Sequence, residues 1–238
     1  MSTSTTVTEQ STSRFSKSRA ILSAGIGVLF FGAVMFLAAG TLRWWEGWAY
    51  LGVMALYFFA ATVVIPFDAE LADERTSMKE DVKTWDKVLA SVLSLLFPLG
   101  FMACGGLDVR FDLSPALPAW LEIASLVAVM GSLIFMGWAA YVNDFYGRYV
   151  RIQTERGHHV VKAGPYRIVR HPAYLGTLVF YVASALALGS LWTLVLSAVT
   201  IALTIIRTAL EDKTLRAELP GYEAFTKETR FRLIPGIW

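Results

Sequence analysis

Residues 173–206 read AYLGTLVFYVASALALGSLWTLVLSAVTIALTII, a run of 34 positions without one charged side chain. A membrane-spanning helix needs about 20 predominantly apolar residues, within a range of about 17–25, so this run is too long for one ordinary span. Gly189-Ser190 sits at its middle, and a Gly-Ser pair signals a turn. The stretch therefore predicts two short helices folded back as a hairpin, either crossing the bilayer or re-entering it.

Outward from this hairpin, four more apolar runs precede it: Ala20 to Gly40, Gly47 to Phe67, Val88 to Leu107 and Pro118 to Val142. Pro98 is expected to kink the third, and Glu122 is the one charge in the fourth. The expected fold class is all-α, a multispanning integral membrane protein of about six hydrophobic segments. Composition agrees. Of 238 residues, 55% are hydrophobic and 17% charged, against about 25% charged in a soluble domain. An ordinary cytosolic enzyme, a disordered chain and a disulfide scaffold are thereby excluded, since the lone Cys104 has no internal partner. The net charge of +2 does not point to nucleic acid. Trp44, Trp45 and Trp48 suit an interfacial anchor at the end of the first hairpin.

Charge orients the segments. Of the 21 Lys and Arg residues, only Arg43 and Arg110 fall on one side of the proposed membrane. Basic residues mark the cytoplasmic face, so both termini are expected to be cytoplasmic, at the inner membrane if the chain is bacterial. The even number of crossings this requires agrees with six segments. The expected organisation is a disordered Ser/Thr-rich tail over 1–19, three membrane helices over 20–118, and a core over 119–238 carrying a cytoplasmic loop, 143–172, and a helical tail, 207–238.

Polar chemistry collects in that loop and tail. His158, His159 and His171 all lie in the loop, followed or preceded by Gly164-Pro165-Tyr166 and Arg170-His171-Pro172-Ala173-Tyr174. Gly-Pro marks a turn, and Pro172 suits the first turn of the next helix, where its missing N–H costs nothing. Donors and aromatic rings are thus expected at the membrane surface, beside a helix N-terminus that favours anions; an ordinary basic loop is the alternative. A metal site is not expected: no cysteine is near, and adjacent His158 and His159 would point apart in an extended chain. In the tail, Arg207 and Glu211 are four apart and share a helix face, as an ion pair or as part of a site. Leu215, Leu219, Tyr222, Phe225 and Phe231 give the tail an apolar stripe, broken at Pro220-Gly221.

The run Gly-Pro-Tyr-x-x-x-Arg-His-Pro-x-Tyr-x-Gly, here Gly164 to Gly176, resembles the isoprenylcysteine carboxyl methyltransferases and, in large part, the related phospholipid N-methyltransferases. A second signature is similar to theirs: Glu211-Asp212, Leu215, Gly221-Tyr222 and Arg232-Leu233-Ile234-Pro235. The resemblance covers residues 119–238 and implies an S-adenosylmethionine-dependent membrane methyltransferase. It implies cofactor contacts at Gln153, His158, His159, Val160, Val161, Tyr166, His171, Pro172, Ala173, Tyr174 and Glu211. Asp212 stands where Glu is usual. Arg207, with Arg170, would orient the acceptor or support the site. The cofactor would enter from the cytoplasm, and an amphiphilic or lipid-linked acceptor would arrive laterally from the bilayer. Alternatives are a phospholipid or other small-acceptor methyltransferase, a sterol-reductase-like NADPH enzyme, and a non-enzymatic scaffold or transporter, the last opposed by the scarcity of intramembrane charge.

Overall fold

Ser16 starts the first helix: its Oγ accepts a hydrogen bond from Arg19 N at 3.3 Å, satisfying one of the donors left free at a helix start. The computed structural model describes residues 16–238. The stretch expected to be disordered therefore lies outside the described residues up to position 15, and from Lys17 the chain is helical. Helix α1 (Lys17–Ala39) and α2 (Trp45–Val64) are followed by the short α3 (Ala69–Thr76). Helix α4 (Thr84–Ser91) passes through a π-helical turn (Val92–Leu96) into α5 (Phe97–Phe111). The widened turn ends just before Pro98, which cannot donate to the preceding turn; such bulges and prolines are the usual causes of a bend within a continuous helix. Then come α6 (Ala119–Tyr141), α7 (Pro172–Ala187), α8 (Leu191–Glu218) and α9 (Tyr222–Glu228). Among the described residues there is no β-strand.

Among the described residues five helical stretches are long and apolar enough to cross a membrane, and α7 is a shorter apolar helix. Many large apolar side chains point outward, Leu29, Leu37 and Val64 each more than 70% exposed. In water such a surface would aggregate; against lipid tails it is matched. The protein is an integral membrane protein.

The hairpin expected at Gly189-Ser190 is present. Gly189 has φ +68°, and Ser190 caps α8 by accepting from Thr193 N at 3.0 Å. The Ser190 hydroxyl also donates to the buried Asp108 carboxylate of α5, pinning the tip. One expectation is corrected: the two halves are not both short. Helix α7 has 16 residues, but α8 has 28, because the helix continues past Ile206 through good helix formers and stops only before Pro220. At 1.5 Å per residue, the 12-residue excess leaves α8 overhanging the start of α7 by about 18 Å. Arg207 stands near the level where α7 begins, and everything beyond it projects towards the 143–172 loop.

Helix α6 packs mainly on α7, α1 on α5, and α8 on α7 and α5. The closest approaches use glycine, as membrane helices do. A Cβ on Gly106 of α5 would lie 2.3 Å from Met35 O of α1, and one on Gly176 of α7 would lie 2.4 Å from Met136 Cγ of α6. Met35, Tyr50, Phe101, Val129 and Tyr181 fill the centre.

Candidate active site

The Gly-Pro turn sets the site's edge. Gly164 takes φ +54°, Pro165 and Tyr166 turn inward in a short 3-10 segment and are buried, and the Tyr166 hydroxyl accepts from Asn143 Nδ2 at 2.9 Å. Burial raises the pKa of that hydroxyl, so it stays protonated. Six residues on, the loop meets the tail: Arg170 N donates to Phe231 O at 2.9 Å and His171 N to Arg232 O at 3.0 Å. The two sequence signatures are thus bonded backbone to backbone just where Pro172 starts α7.

Asp212 holds this junction. Its carboxylate is fully buried and accepts from Arg170 Nε (2.8 Å), Arg216 Nε (3.1 Å), Arg232 Nε (3.0 Å) and the Tyr222 hydroxyl (3.1 Å). His171 Nε2 stands 3.5 Å away. A buried carboxylate is tolerable only when so surrounded. Arg170 is equally committed, donating through Nη1 to Thr229 O and Arg230 O as well. Its guanidinium knits loop, α8 and tail together.

Glu211, one residue earlier, turns the other way. Its Oε2 accepts from the Tyr174 hydroxyl at 2.6 Å, its Oε1 lies 3.7 Å from His171 Nδ1, and its side chain is 21% exposed, enough to meet a ligand. The His171 ring lies nearly parallel to Tyr174, 5.9 Å between centroids. Glu211, His171 and Tyr174 border a pocket whose other walls are His158, His159, Val160 and Val161 of the loop, Pro172 and Ala173 at the start of α7, and Leu215, Leu219, Tyr222 and Phe225. Tyr166 and Arg170 also line it. His158 is stacked on Phe145 at 4.4 Å, and its Nδ1 accepts from Gln153 N at 3.2 Å. Burial, helped by the neighbouring His159, Arg151 and Arg156, lowers its pKa to about 4, so it is neutral at pH 7.

Two expected site residues stand elsewhere. Gln153 does not line the pocket. It is buried and braces the loop, donating to Phe145 O at 2.9 Å and accepting from Arg156. Arg207 does not line it either, and its carboxylate partner is not Glu211. Its guanidinium forms a two-pronged pair with Asp86 of α4, Nε to Oδ1 at 2.7 Å and Nη2 to Oδ2 at 3.0 Å, and also donates to Arg148 O at 2.6 Å. Asp86 is fully buried and accepts from Val150 N. Arg207 also sits 5.4 Å from the centroid of the Tyr174 ring. It belongs to a second space, a cavity of about 960 Å³ between α1, α2, α3, α4, α6, α7 and α8. This cavity and the pocket share Tyr146, Gly147 and Tyr174 in their walls.

Sequence reasoning missed Asp86, Asn143, Phe145 and Tyr146. The last three follow α6 directly as Asn143-Asp144-Phe145-Tyr146, an abrupt polar and aromatic cluster at a membrane exit that could have drawn notice. Asp86 carries no local signal. Among the described residues no three His, Cys, Asp or Glu side chains gather as a metal would require.

Residues 120–219 match the family model for phospholipid methyltransferase. No curated protein matches the chain. The matched segment runs from the start of α6 to the end of α8 and holds every pocket-lining residue except Tyr222 and Phe225. Over residues 120–219, 100 of the 238 residues, the chain is thus similar to the phospholipid methyltransferase family, the group in which the isoprenylcysteine carboxyl methyltransferases also fall.

Proposed function

We propose that the protein transfers a methyl group from S-adenosylmethionine, bound in the pocket between the loop and α8, to a lipid or lipid-linked acceptor that reaches the site from the bilayer, as in the isoprenylcysteine carboxyl methyltransferases or the phospholipid enzymes. The observation that carries this reading is the shared wall: a polar pocket beside the cytoplasmic loop and a large cavity inside the helix bundle meet at Tyr146, Gly147 and Tyr174. A reaction between a water-soluble donor and a membrane-resident acceptor needs such a meeting point.

The pocket's own groups suit this cofactor. S-adenosylmethionine, when bound, supplies a methyl group activated on a positively charged sulfur. Glu211 can accept from an ammonium or from ribose hydroxyls in charge-assisted bonds. The Tyr174 and His171 rings offer faces to a cation or an adenine. Val160, Val161, Leu215 and Leu219 exclude water. In a displacement at carbon the protein's main contribution is alignment, which can lower a barrier by about 7–11 kcal/mol. The Asp212 clamp serves that end by holding Arg170 and His171 rigidly under the pocket. In this reading the pocket lies on the cytoplasmic side with both termini, which the concentration of Lys and Arg in the loops supports.

Membranes containing the protein, incubated with methyl-labelled S-adenosylmethionine and then extracted, test this. Label is expected in the lipid or lipid-linked fraction and is expected to fall sharply with Glu211→Gln. Incorporation no greater than in membranes lacking the protein would overturn the proposal.

A further inference from the structure

We infer that Asp86, which lies outside the segment matched by the family model, is a positioning residue for methyl transfer: its one carboxylate fixes both supports of the place where pocket and cavity meet. As a statement about the reaction this rests on the reading above. Asp86 stands in the first turn of α4 and is fully buried. Its Oδ1 accepts from Arg207 Nε at 2.7 Å, and its Oδ2 from Arg207 Nη2 at 3.0 Å and Val150 N at 2.6 Å. Three N–H groups, from the loop and from α8, converge on this single acid of the N-terminal half.

Both partners lead to the meeting point. On the loop side, Val150 lines the pocket together with Gly147, Tyr149 and Arg151. This stretch hangs from the connection between α3 and α4: Lys83 N donates to Val150 O at 3.1 Å, and Arg151 Nη1 to Asp81 Oδ2 at 2.9 Å. On the α8 side, the Arg207 guanidinium lies 5.4 Å from the centroid of the Tyr174 ring, within reach of a cation–π contact. The Tyr174 hydroxyl in turn donates to Glu211. Arg207 Nη2 also donates to Arg148 O, which ties the two sides together. Of the residues shared by pocket and cavity, Gly147 adjoins Arg148 and Tyr174 lies against Arg207. Asp86 itself lines neither space, so it acts through the groups it holds. An amide cannot do the same. Asn offers one oxygen and two N–H groups, so in Asp86→Asn either Val150 or Arg207 loses its acceptor and faces a donor. A misplacement of about 1 Å remote from the chemistry can slow a reaction about a hundredfold.

The test uses membranes containing the full chain and follows label from methyl-labelled S-adenosylmethionine into the membranes' own lipid and lipid-linked acceptors. Rates are expressed per site, counted by binding of the demethylated product S-adenosylhomocysteine, so that unfolded protein does not enter the comparison. Asp86→Asn is expected to lower the saturating rate at least about tenfold while the KM for S-adenosylmethionine stays within about threefold of wild type, because Glu211, His171 and the Asp212 clamp are untouched. Asp86→Glu keeps the charge and both oxygens but sets them one methylene further out, and its rate is expected to fall between those of Asp86→Asn and wild type. Gly106→Ala, which strains the contact of α5 with α1, serves as a destabilised control with a normal rate per site. If Asp86→Asn yields no product-binding protein, Asp86→Glu decides, and a wild-type rate for it overturns the inference. So does an unchanged saturating rate for Asp86→Asn, a loss confined to KM, or an equal loss per site in Gly106→Ala. Those outcomes leave the methyltransferase reading standing. Wild-type membranes that incorporate no label above background overturn that reading, and this inference with it.

Discussion

Glu211 and Asp212 are neighbours on α8, yet one meets the pocket and the other is sealed beneath it. Their conservative variants should therefore fail in different ways. Glu211→Gln removes a carboxylate offered to a charged ligand group, an interaction of about 1.5–3 kcal/mol, so S-adenosylmethionine affinity by calorimetry should fall about ten- to a hundredfold at an unchanged melting temperature. Asp212→Asn leaves three arginines facing a neutral amide; breaking a buried pair costs about 3–5 kcal/mol, and the melting temperature should drop markedly. A normal melt for Asp212→Asn would show that the clamp is not structural. Arg207 yields a second prediction. Arg207→Ala and Asp86→Ala should each destabilise the protein, while the double variant should cost at least about 1 kcal/mol less than their sum, the coupling expected of residues in direct contact; strict additivity in thermal or denaturant unfolding would dissolve the pair. Glu211, His171 and Tyr174 were singled out through the two short signatures of the resemblance, each local in sequence, and the structure brings all three to one pocket. Asp86 was not readable, since its partner lies 121 positions away and a long-range pair leaves no pattern in either neighbourhood. Gln153 was matched to a family glutamine by the resemblance alone, across a loop whose length fixes no position, and the structure sets it beside the pocket rather than in its wall.

Among the elements, the hairpin of α7 and α8 was legible in composition, because a charge-free run with a Gly-Ser centre has few other solutions. The length of α8 was not. The hydrophobic run ends at Ile206, but a helix needs hydrogen bonds rather than apolar side chains to continue, and Thr208 to Glu218 contains neither glycine nor proline. The overhang that results is the wall on which loop and tail assemble. Close packing of the bundle gives an element-scale prediction. Gly106→Ala pushes a methyl against the backbone of α1, which cannot yield as a flexible side chain would. It should destabilise the protein by about 1–3 kcal/mol. Gly100→Ala and Gly131→Ala, where an added Cβ meets nothing within 4 Å, should leave the thermal midpoint unchanged or raise it. A neutral Gly106→Ala would mean that α1 and α5 are not held at this distance.

At the scale of the whole molecule, the lopsided distribution of Lys and Arg makes a topological prediction. In a Cys104→Ala background, Lys162→Cys and Lys227→Cys should resist an impermeant thiol reagent applied to intact cells, while Leu113→Cys, exposed in the connection between α5 and α6, should react. The reverse pattern would invert the protein and put the pocket out of reach of a cytosolic cofactor. The backbone bonds from Arg170 and His171 to Phe231 and Arg232 carry a consequence for synthesis. A ribosome makes the chain from its N-terminus, so all the membrane helices exist before the segment that satisfies those two N–H groups and supplies Arg232 to Asp212. A nascent chain therefore has its lipid-facing bundle but no finished pocket. Competence arrives last, after insertion is over, and a chain halted on the ribosome anywhere before residue 231 would sit in the membrane as an inert bystander.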